Sequence, residues 1–103
     1  VTESETISWI LLSIYLASQK EPANVAEVTQ IADGINHAVT TQMELQYSIN
    51  WLSSQNLITK KGRKFLLSET GFLLIDKICS DSIYLADKWK LLSMKIQESV
   101  GTN

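Results

Sequence analysis

Cysteine, proline and glycine are all scarce in this chain of 103 residues, with one Cys, one Pro and four Gly. The lone Cys79 has no internal disulfide partner, so a buried thiol in a reducing cytosol is expected. So little glycine leaves no glycine-rich phosphate loop, and no metal-ligand set or nucleophile–base pattern takes its place. The single histidine, His37, lacks a set of ligand residues and is expected to make local hydrogen bonds in a turn. Asp33 precedes it by four positions, a pair that specifies no reaction. These absences argue against an enzyme, and no cofactor is implied. The longest apolar runs, Trp9 to Leu12 and Phe72 to Ile75, fall far short of the roughly 18 residues that suggest a membrane span. No basic-then-apolar leader opens the chain, so the expected location is cytoplasmic. A first residue of Val rather than Met fits a chain trimmed from a longer one.

What is present is ordinary globular composition, 45% hydrophobic and 19% charged, at a length that supports one core. The net charge of −2 hides an asymmetry. Up to Asn56 the only cation is Lys20, against Glu3, Glu5, Glu21, Glu27, Asp33 and Glu44. Beyond it, Lys60, Lys61, Arg63 and Lys64 crowd together, and any affinity for a polyanion has to come mainly from them.

Ile7, Ile10, Leu11, Ile14 and Tyr15 recur at helical spacing and predict a core helix over 4–18, with Trp9 and Leu12 widening its stripe. Pro22 places a loop over 19–23. Asn24 and Glu27 form a capping-box-like pair opening a short helix, which Gly34 is expected to end in the left-handed conformation. A turn over 35–40 follows. Thr41 and Glu44 make the clearest capping box, opening a helix that runs to about Gln55 with Leu45, Ile49 and Leu52 facing inward. Asn56 can close that helix in the left-handed conformation. Residues 57–60 and 64–67 then read as a hairpin through Lys61, Gly62 and Arg63. Ser68 caps another helix, Ser80 to Ser82 bend or restart the chain, and a last helix covers about 83–97.

Two segments carry a likeness. Trp51-Leu52-Ser53-Ser54-Gln55-Asn56-Leu57-Ile58 resembles the end of a winged-helix third helix, with Asn56 where a glycine is usual. Leu67-Ser68-Glu69-Thr70-Gly71 resembles the passage from wing to following helix in bacterial winged-helix regulators. A third stretch, from Asp33 to Thr41, is similar to a motif of uncharacterised bacterial winged-helix proteins and implies no chemistry. The resemblance spans about 24–78 and implies a mainly α fold with a small β-hairpin wing (α+β), a winged helix-turn-helix with an added C-terminal helix. The expected division is a winged-helix domain over 1–80 and a C-terminal helix over 81–103.

In that superfamily the third helix enters the major groove and the wing touches the backbone. The resemblance therefore implies a DNA-binding transcriptional regulator whose partner is double-stranded DNA. Gln46, Tyr47 and Asn50 would face the bases, and Lys60, Lys61, Arg63 and Lys64 the phosphates. Gln46 and Asn50 have the donors and acceptors to read adenine edges. No Lys or Arg lies on this helix, so a single domain should bind DNA weakly. The alternative is a protein–protein interaction module using the ridge of Met43, Tyr47 and Trp51. Leu85, Trp89, Leu92 and Ile96, spaced 4, 3 and 4, resemble a coiled-coil seam and suggest a homodimer interface. Their other reading is a helix folded back onto the first one to complete a monomer core. Tyr84 and Leu91 lie beside the seam.

Overall fold

A helix that is apolar on nearly every side has to be enclosed, and this requirement organises the molecule. In the computed structural model, which describes residues 3–36, 41–79 and 84–100, helix α1 (Glu3–Ala17) buries Ile7, Ile10, Leu11, Leu12 and Ile14 almost completely. Around it pack α2 (Val25–Asn36), α3 (Gln42–Ser54) and α5 (Leu85–Val100). α4 (Glu69–Cys79) rests on α5 and on a small antiparallel sheet of β1 (Ala23–Asn24), β2 (Ile58–Lys61) and β3 (Lys64–Leu67). The architecture is mainly helical with a three-stranded sheet, an α+β arrangement. None of the described helices is long and apolar enough to cross a membrane.

Serines let the neighbours of α1 come close. Ser4, Ser8 and Ser13 are buried, and their hydroxyls donate to Gln97 Oε1 (2.8 Å), the Glu5 carbonyl (3.0 Å) and the Trp9 carbonyl (2.7 Å). Two indoles tie the helices together. The Trp9 Nε1–H donates to the Ala32 carbonyl of α2 and the Trp89 Nε1–H of α5 to the Glu5 carbonyl, both at 2.8 Å. Their rings lie 6.1 Å apart, tilted by 35°, within the range that favours aromatic pairs.

Both capping boxes form as the spacing predicts. Glu27 N–H donates to Asn24 Oδ1 (2.8 Å) and Asn24 N–H to Glu27 Oε1 (3.2 Å). Glu44 N–H donates to Thr41 Oγ1 (3.0 Å) and Thr41 N–H to Glu44 Oε1 (2.9 Å). Asn56 takes the left-handed conformation expected of it, φ 59°. In the hairpin Lys61 pairs with Lys64, leaving Gly62 and Arg63 as a two-residue turn. Gly62, at φ 64°, stands at the first central position, where a type II′ turn needs a positive φ.

Three expectations are corrected. Gly34 does not end α2, which continues to Asn36. Ile35 packs against the core, and its burial offsets the roughly 1 kcal/mol that a helical glycine costs. The loop over 19–23 yields its last residue to β1, where Ala23 pairs with Phe65 and Asn24 with Lys64, making β3 the central strand. The coiled-coil spacing of α5 serves the monomer: Leu92 and Ile96 are 1% and 2% exposed within a single chain, and Trp89 is half-buried against α1. These residues complete the core by folding back onto the first helix, so α5 and the preceding helices share one core. The Leu85 side chain, His37 and the bend over 80–82 lie outside the described residues.

One buried group is out of balance. The Ser48 hydroxyl on the inner face of α3 is fully buried and, among the described residues, has no hydrogen-bond partner. Ser48→Ala is therefore expected to leave stability unchanged or raise it by about 0.5–1 kcal/mol, because an unsatisfied polar group is removed and a better helix former introduced. Urea unfolding checks this, and a loss of more than about 1 kcal/mol would show that the hydroxyl has a partner.

Candidate nucleic-acid interface

The hairpin register gathers the positively charged cluster of the sequence at one tip. Lys61 and Lys64 are paired across the strands, Arg63 occupies the turn, and Lys60 lies opposite Phe65. All four cations are exposed, and among the described residues none reaches a carboxylate. The Lys60 ammonium stands 5.9 Å from the centroid of the Phe65 ring, close enough for a cation–π attraction that steadies its stem.

The exposed side of α3 divides into two edges with different chemistry. On the edge nearer the hairpin lie Gln42 and Gln46, both exposed, and the Gln46 amide donates from Nε2 to the Oδ1 of exposed Asn50, one turn on, at 2.9 Å. A hollow beside this edge is lined by Gln42, Gln46 and Lys60 together with Leu45, Ile49 and Phe65. The starts of α2 and α3, at Val25 and Thr41, border the same hollow. Their capping carboxylates, Glu27 and Glu44, are each hydrogen-bonded back to their own N-cap amide. Glu44 thus serves its helix start, as its spacing predicts.

The other edge faces α1. Met43 is 84% and Tyr47 50% exposed, while Trp51 is half-buried against the core, so the expected ridge is open at two positions and anchored at the third. Met43 and Tyr47 line a second hollow with Glu3, Thr6 and Glu44. The Tyr47 phenol donates to the Glu3 carboxylate. That hydrogen bond holds the phenol pKa above its ordinary value, and partial burial and the Glu3 charge act in the same direction. Gln46 thus lies on the hairpin side, bonded to Asn50, whereas Tyr47 is engaged with α1.

Two features go beyond the expectations from sequence, and only the first has a local signal. The i, i+4 spacing of Gln46 and Asn50 is a signal for their mutual bond. No local signal places Lys60 across a hollow from Gln46, because that juxtaposition depends on how the sheet packs beside α3. Among the described residues no group of three His, Cys, Asp or Glu side chains is arranged to hold a metal ion. Compared with protein-family models, curated proteins and solved structures, the chain matches none of them.

Proposed function

We propose that this chain is a winged-helix DNA-binding domain of a transcriptional regulator, with α3 in the major groove and the β2–β3 hairpin acting as the wing on the phosphate backbone. The observation that carries the reading is that one hairpin cation, Lys60, and the amides Gln42 and Gln46 of α3 line one hollow, which supports a single ligand meeting both elements. Cations on phosphate supply affinity, and amides on base edges supply discrimination. With no cation on α3, the hairpin carries the electrostatic share.

Fluorescence anisotropy with mixed-sequence duplex over a salt series tests this. Affinity should fall linearly in a log–log plot with a slope of about −0.9 per phosphate neutralised, approaching roughly −3.6 if all four hairpin cations engage. No binding at low salt and high protein concentration would remove the proposal. A second reading, a protein-binding module, is favoured by the exposure of Met43 and Tyr47 alone. It predicts that duplex DNA is ignored and that Tyr47→Ala weakens capture of the protein partner.

A further inference from the structure

Gln46 and Asn50 stand one turn apart, and the hydrogen bond between them, 2.9 Å from Gln46 Nε2 to Asn50 Oδ1, makes two flexible side chains act as one group. A primary amide has two N–H donors and one carbonyl acceptor. The mutual bond uses one N–H of Gln46 and one lone pair of Asn50, so Gln46 keeps its other N–H and its carbonyl oxygen, and Asn50 keeps both N–H groups and its second lone pair. Reversing the direction of the bond likewise leaves each amide with both a donor and an acceptor.

We propose that the joined amides of Gln46 and Asn50 form a single adenine-reading clamp, so that the duplex this domain prefers is one bearing A·T pairs in the major groove facing α3. The inference rests on the DNA-binding reading and goes beyond it by naming the bases. Adenine offers the groove an acceptor at N7 and a donor at N6, side by side, whereas guanine offers two acceptors, N7 and O6. A pair that offers a donor and an acceptor together is fully used by adenine, whereas guanine, with two acceptors, uses only the pair's donors and leaves the pair's carbonyl oxygens unmatched. The residues that most often read guanine, Arg and Lys, are absent from α3. The hollow beside Gln46 adds apolar surface from Leu45, Ile49 and Phe65, which suits the thymine methyl group.

The experiment is equilibrium binding of the full chain at low salt to three labelled duplexes of equal length: one of A·T pairs, one of G·C pairs, and the A·T duplex with 7-deazaadenine, which replaces N7 by C–H. The A·T duplex should bind about ten-fold tighter than the G·C duplex. The 7-deaza substitution should remove most of that advantage. Gln46→Ala and Asn50→Ala, both at exposed positions, should each bring the A·T to G·C ratio close to one. Equal affinity for the two natural duplexes overturns the clamp while leaving DNA binding in place. An A·T preference that survives 7-deazaadenine, or both alanine variants, also overturns it and assigns the preference to groove shape. Binding to none of the duplexes overturns the clamp together with the reading on which it rests.

Discussion

Gly71→Ala should cost about 3 kcal/mol or more, the largest stability loss expected of any exchange this small in the molecule. A Cβ at that position would lie 2.0 Å from the Leu57 carbonyl oxygen and 3.0 Å from its carbon, both backbone atoms with little freedom to withdraw. The approach is this close because the start of α4 is fastened to the turn after α3. Ser68 N–H donates to the Leu57 carbonyl at 3.1 Å, the Ser68 hydroxyl donates to the Asn56 carbonyl, and Gly71 N–H donates to that hydroxyl at 3.0 Å. Thermal unfolding followed by circular dichroism should show a midpoint lowered by about 15 °C or more. Gly34→Ala is the control: it sits within α2 with no atom inside 4 Å of the added carbon, and should raise stability by about 0.5–1 kcal/mol. A Gly71→Ala protein that melts with the wild type would disprove the close contact.

Replacing Lys60, Lys61, Arg63 and Lys64 together by Gln should reduce affinity for mixed duplex by at least about 100-fold at low salt and flatten its salt dependence, since each lost phosphate contact removes roughly 0.9 from the slope. The fold should survive. All four side chains are exposed, where substitutions change stability by about 0.5 kcal/mol or less, with the Lys60 contact to Phe65 adding a loss of similar size. Because no cation on α3 can substitute for them, a quadruple variant that retains its affinity and slope would take the hairpin out of the mechanism.

Local chemistry made much of this architecture legible. Thr41 with Glu44 and Asn24 with Glu27 announce helix starts because their hydrogen bonds span three residues, and Asn56 announces a left-handed stop. β1 could not be read, because a strand of two residues has no alternation to detect. The extension of α2 past Gly34 reflects tertiary burial of Ile35 overriding local propensity. The spacing of Trp89, Leu92 and Ile96 states correctly that one face of α5 is covered, but the same spacing serves a sister helix or the chain's own first helix. Only the three-dimensional packing chooses between them. At the candidate site the hairpin cations were legible as a cluster, whereas the division of α3 into an amide edge and a Met43–Tyr47 edge depends on where β3 and α1 lie.

The hydrogen bond from Ser4 to Gln97 joins residues 93 positions apart. Docking α5 on α1 therefore closes a loop nearly as long as the chain. The entropy involved is modest, since doubling a loop costs only about 0.6 kcal/mol more; the effect is on rate, because contacts so distant in sequence are made slowly. Until α5 arrives, one flank of α1 is an apolar surface open to other molecules, the condition under which collapsed intermediates aggregate. Any loss of the α1–α5 contact, at either end of the chain, thus exposes apolar surface that the folded molecule keeps covered.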